Sequence, residues 1–173
     1  MTETVRIDFK IRNIGEEQKI RLTTVADAYA IVFNYIYGIA SMLGNVGGLV
    51  DAKTMWQYAG YAAKLFPCVK DIPEKLRAEA FYDALSSWQR KWKVKPFDGR
   101  LLVTSWGRNA ATITPDLLKA SLSDVGDLNV WMIDRTDDKA AIAKSCPVSR
   151  ARTRIVSGTG IVLTLEFDAK IEQ

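Results

Sequence analysis

Three arginines, Arg150, Arg152 and Arg154, recur at every second position near the end of the chain. In a β-strand alternate side chains leave opposite faces, so the three share one face at a spacing of about 7 Å while Ala151, Thr153 and Ile155 point the other way. Like charges in a row repel, and a polyanion such as a phosphodiester backbone would neutralise them. The same row also suits an edge strand guarded by charge against pairing with another chain. A second concentration lies between Ser87 and Arg108, where Arg90, Lys91, Lys93, Lys95, Arg100 and Arg108 face Asp98 alone, with Trp88, Trp92, Phe97 and Trp106 interleaved. Cations beside aromatics suit a single-stranded or A-form backbone, with phosphates on Lys and Arg and bases stacked on rings. Equally, those tryptophans at helical spacing fit a core, and the lysines fit the negative end of a helix dipole. Arg6, Lys10 and Arg12, interrupted by Asp8, extend the basic character to the N-terminal segment.

Other chemistry has little to work with. The chain has no histidine, which removes His-based triads, Cys–His dyads and imidazole metal sites. Its two cysteines, Cys68 and Cys146, are far apart and lack ligand spacing. There is no phosphate-binding G-x-x-x-x-G-K-[ST] loop, and the Gly44-Asn45-Val46-Gly47-Gly48 run follows a helical pattern, where it reads as a stop and turn with Gly44 at C′. Glu16-Glu17 and Asp134 with Asp137-Asp138 read as solvated turns. These residues predict a protein that is not by itself an enzyme, with no cofactor and no metal.

The elements that would position the cations follow from periodicity. Val5, Ile7, Phe9 and Ile11 alternate with Arg6, Asp8, Lys10 and Arg12, a half-buried strand with a basic outer face. After a polar turn over 13–19, apolar residues from Leu22 to Leu43 recur at threes and fours, which predicts a helix capped at Thr24. A second helix is expected after Asp51, with Met55, Trp56, Ala59, Ala63 and Phe66 inward, ending at Pro67. A third is expected from Pro73, capped by Asp71, running into the basic segment before Pro96. Beyond Phe97, strands are predicted over 101–104, 111–113, 129–133, 150–156 and 161–171, with a short helix over 115–121 and a loop or short helix over 134–144. The fold class is therefore α+β: a small β-barrel or curved antiparallel sheet from residues 1–20 and 97–173, with a three-helix insertion over 21–96 after the first strand.

At 173 residues with 48% hydrophobic and 25% charged residues, the chain reads as one globular unit with a net charge of +4. The charged N-terminus lacks a signal-peptide core and no run of about 18 apolar residues occurs, so the expectation is a cytoplasmic protein without a membrane partner.

The layout also resembles a known family. A basic first strand leads to an aromatic helix reading Ala30-Ile31-Val32-Phe33-Asn34-Tyr35-Ile36-Tyr37, and a later helix runs into Trp88-Gln89-Arg90-Lys91-Trp92 and a Lys95-Pro96-Phe97 exit. This is similar to the N-terminal half of the TnpB/OrfB proteins of insertion sequences and their type V CRISPR relatives, and the hairpin over 151–171 looks like the last strand pair of that family's wedge domain. Asp98 departs from the basic residue the pattern prefers, and the chain stops about where the RuvC nuclease domain would begin. The resemblance implies wedge and recognition domains without the nuclease: an RNA-binding module for guide-like RNA, with duplex DNA as a further partner and a separate nuclease subunit supplying cleavage. The rival expectation is a protein–protein adaptor from a mobile element or virus, anchored by Tyr35, Tyr58 and Tyr61.

Overall fold

A computed structural model describes residues 2–90, 103–156 and 160–170. The period-two segment forms β1 (Thr2–Arg12), with Ile7, Phe9 and Ile11 buried. The helix that follows, α1 (Glu16–Asn45), begins well before Thr24. Its start is signalled locally: the Gln18 side chain accepts from the Gly15 backbone N–H at 3.3 Å, half of a capping box, and Glu16 and Glu17 complement the dipole in the first turn. These two acids are thus helix-start charges, where the sequence suggested a solvated turn.

The chain divides into two compact units, residues 1–22 with 105–173, and residues 23–104. In the helical unit, the rest of α1 packs with α2 (Ala52–Leu65), the single turn α3 (Pro67–Lys70) and α4 (Glu74–Gln89). Four described helices thus separate β1 from the next strand, where three were expected; Pro67 opens a helical turn as well as closing the previous helix. The core is Tyr29, Val32, Phe33, Ile36, Ala40, Met55, Val69, Ala80, Phe81, Ala84 and Leu85. The Tyr29 hydroxyl donates to Asp83 Oδ2 at 2.5 Å, which satisfies the polar end of a fully buried ring. The second helix starts after Asp51 as expected, with Asp51 capping it through Thr54, but Pro73, with no capping side chain, precedes α4 in place of Asp71. Trp56, expected inward, is 40% exposed, because Met55 and Ala62 carry the buried face of α2.

The end of α1 is a Schellman turn three residues later than predicted. Gly47, at φ 71°, is the C′ residue; Gly48 N–H donates to Leu43 O and Gly47 N–H to Gly44 O. Gly44 serves packing instead: a Cβ there would lie 2.7 Å from Trp88 Cζ2, so α1 and α4 approach through the missing side chain. By length and composition α1 is also apolar enough to cross a membrane, although half of its most apolar stretch is buried in the fold.

The sheet unit contains β2 (Thr104–Arg108), β3 (Ala111–Ile113), β4 (Lys119–Leu122), β5 (Gly126–Met132), α5 (Asp137–Ser145), β6 (Val148–Val156) and β7 (Gly160–Lys170). Strand order is β2-β6-β7-β1-β5-β4-β3. The two outermost strands, β2 and β3, are joined by Asn109 and Ala110 alone, so the sheet must curl until its ends approach. The result is an antiparallel half-barrel with the helical segment inserted after its first strand, the expected α+β class. The helix expected over 115–121 is a turn leading into β4: Leu117 has φ 62°, and Asp116 accepts from Leu118 N–H and the Thr114 hydroxyl, an Asx turn that competes with helix. The expected strand over 101–104 lies partly outside the described residues, and the observed one starts at Thr104. The polar stretch over 134–144 forms α5, capped by Thr136, with Asp137 and Asp138 in its first turn.

Candidate nucleic-acid interface

Strands β6, β7 and β1 present one outer face in register. Arg150 and Arg6 flank Glu166, Arg152 and Asp8 flank Thr164, and Arg154 and Lys10 flank Val162. The inner face carries Ala151, Thr153, Leu163, Leu165, Phe167, Ile7 and Phe9, all buried. A bulge at Ser149 makes this alternation possible. Val148 pairs with Phe167 and Arg150 with Glu166, so the register shifts between them. Without the extra residue Val148 and Arg150 would share a face; with it, the valine enters the core and the arginine leaves it. The Ser149 hydroxyl fixes the bulge by donating to the Glu166 carbonyl at 3.0 Å.

The three arginines of β6 therefore share a face, as their spacing predicts, but they are not an uncompensated row. Arg154 Nη2 lies 2.9 Å from Asp8 Oδ2, reaching across β7, and Thr164 also donates to Asp8. Glu166 is 7% exposed and takes Arg6 Nε at 3.0 Å, with Arg152 Nε at 3.5 Å. That second contact is an ion pair without hydrogen-bond geometry, since Arg152 Nε is buried and makes no hydrogen bond. Mutual repulsion as the reason for the row is thus corrected, because two carboxylates are interleaved with the cations. Edge protection is corrected as well. β6 lies between β2 and β7 and is not an outer strand.

Among the described side chains of β6, β7 and β1, the face carries six cations (Arg6, Lys10, Arg12, Arg150, Arg152, Arg154) and three carboxylates (Asp8, Glu166, Asp168), a surplus of three. The charges are not evenly spread. Asp168 accepts from Thr4 and Ser149 at the bulge end, where Arg108, Asn109, Arg150 and Glu166 complete the lining of an open groove of about 410 Å³. The opposite end holds Arg154, Lys10 and Arg12, continued on β4 by Lys119, which pairs with Asn129, itself the partner of Arg12.

Arg108 thus joins the β6 cations at the groove. Arg90 ends α4 in the helical unit, while Lys91, Lys93, Lys95 and Arg100, with Trp92 and Phe97, lie outside the described residues. Of the interleaved tryptophans, Trp106 is core: it is 1% exposed and its Nε1–H donates to Thr153 Oγ1 at 2.9 Å, so it cannot stack on a base. Trp88 packs against the helical core. Tyr35 and Tyr58 also pack there, and of the three expected anchors Tyr61 alone is exposed, alongside Trp56 and Tyr82. Among the described residues no group of three or more Cys, Asp or Glu is placed to hold a metal ion.

Glu166, Ser149 and Asn109 were not singled out from the sequence. Glu166 was legible in principle: a turn closing at Gly160 sets Val156 opposite Gly160, and counting back puts Arg150 opposite Glu166. The bulge has no comparable signal. No family model matches the chain, and no curated protein matches it.

Proposed function

We propose that the protein is a non-catalytic RNA-binding module that holds the phosphate backbone against the outer face of β6, β7 and β1. One observation carries this reading: among the described side chains six cations stand in register on that face against three carboxylates, and the bulge at Ser149 keeps Arg150 among them. Arg150, Arg152, Arg154, Arg6, Lys10 and Arg12 contact phosphates, with Arg108 at the groove end. A strand, a helical insertion and a curled sheet, in that order, are also what a likeness to the wedge and recognition region of TnpB-like RNA-guided effectors implies. On that reading the RNA is guide-like, specificity comes from base pairing, backbone contacts dominate, duplex DNA is a second ligand, and a separate chain cuts.

Chain purified at low salt without nuclease should carry nucleic acid, seen as a raised 260/280 nm absorbance ratio that falls after a high-salt wash. A ratio typical of bare protein in both preparations would contradict the reading. A protein–protein adaptor is the second reading, favoured by the exposed Trp56 and Tyr82 rings stacked at 6.2 Å on α2 and α4; it predicts a co-purifying protein in place of RNA.

A further inference from the structure

On the outer face of β5, next to β1, Trp131 is 48% exposed near the end of a strand whose neighbours Leu128, Val130 and Met132 are buried. Its register partner on β1 is Lys10, and Lys10 in turn is opposite Val162, the partner of Arg154. One cross-strand row therefore reads Arg154, Val162, Lys10, Trp131. The next row along β1 holds Arg12, Asn129 and Lys119. Neither row contains a carboxylate, and the closest one on β1, Asp8, already engages Arg154 and Thr164. Arg12, diagonal to Trp131, lays its guanidinium 4.4 Å from the ring centroid. A diagonal pair of this kind is within reach of long side chains, and it holds the indole in one orientation.

From this juxtaposition we infer that Trp131 is a stacking platform for an unpaired nucleobase. The ring's second face receives the base, while Lys10 and Arg154 on one side and Arg12 and Lys119 on the other take the flanking phosphates. The inference rests on the proposed RNA-binding function and deepens it. It makes the ligand at this end of the face single-stranded, since a base inside a duplex has no free surface to offer a ring. Stacking on an aromatic is tolerant of sequence because every base has a π-face, so the platform reads strandedness and not base identity. Arg12 has a defined part: stacked on one side of the indole, it adds positive charge beneath a base bound on the other.

The test uses the whole chain and an oligouridylate of about 15 nucleotides, the upper range of a single-strand site, alongside the same strand annealed to oligoadenylate. Trp131→Ala should weaken single-strand binding by about 5- to 160-fold, the range for one lost base stack. Duplex binding should be unchanged, as should the salt dependence of single-strand binding, because stacking releases no counterions. Trp131→Phe should recover most of the affinity, and both variants should melt with the parent since the residue is half exposed. A Trp131→Ala protein that binds the single strand as tightly as the parent overturns the platform. So does a parent that binds only the duplex, and in both cases the RNA-binding reading survives. A parent that binds neither RNA removes that reading and the platform with it.

Discussion

Replacing Glu166 by Gln separates what the outer face does for the fold from what it does for a ligand, because the two effects have opposite signs. The carboxylate sits between Arg6 and Arg152 and is 7% exposed. Gln keeps its shape but not its charge. Arg6, whose side chain is 66% exposed, returns to water at little cost. Arg152 is different: its Nε is buried without a hydrogen bond, so attraction to Glu166 offsets its desolvation. With one charge-assisted hydrogen bond lost and screening allowed for, the fold should lose about 1–2 kcal/mol. For a chain of this size that lowers Tm by about 2–8 °C. Binding should strengthen instead. Each cation freed to neutralise a phosphate steepens the salt slope by about 0.7 on a single strand, which near 0.15 M salt is about fourfold in affinity. With one or both arginines released, RNA affinity should rise between about four- and fourteenfold. Fluorescence anisotropy on a labelled oligonucleotide at several salt concentrations, with a thermal melt of the same protein, measures both. Lower stability with unchanged or weaker RNA binding would refute the assignment of this face.

Converting Arg150, Arg152 and Arg154 together to Gln should cut RNA affinity at least tenfold and flatten the salt slope by about two units in the same assay; Tm should also fall, because Asp8 and Glu166 lose partners. Gly44→Ala puts a Cβ 2.7 Å from Trp88 Cζ2, and overpacking should cost about 1–3 kcal/mol despite the gain in helix propensity, a loss that a denaturant melt resolves. The Thr54 backbone N–H holds the Asp51 carboxyl below its ordinary value of 3.8, so its ionised form favours the folded state. That stabilisation is complete above the ordinary value and is lost as pH falls through the lowered one. Asp51→Ala should lower Tm at neutral pH and lose part of its decline in acid; an unchanged acid profile would sink the cap.

The architecture was legible where one local rule decided it. Alternation over Val5 to Ile11 marked β1, and its switch to helical spacing and back marked the insertion. Alternation also put the three β6 arginines on one face, but it could not show what stands opposite them. Repulsion along the row was the natural reading until register brought in Glu166 from the next strand of the hairpin and Asp8 from a strand far away in sequence. The 115–121 segment, expected to be a short helix, is a turn because Asp116 and the left-handed Leu117 build one. Trp106 fitted either a stacking ring or the core, and the partner that decides for the core, Thr153, lies on a strand 47 residues away. Trp131 could have been found by the same alternation that buries Leu128, Val130 and Met132, but its partner Arg12 required knowing that β1 and β5 are neighbours.

The central claim is that this face grips a phosphate backbone, and the slope of log affinity against log salt for single-stranded RNA tests it most directly. If the three-charge surplus alone acts, the slope should be about −2; if all six cations reach phosphates, about −4. An affinity that does not change between about 50 and 200 mM salt, where that range of slopes requires a large loss, would contradict it.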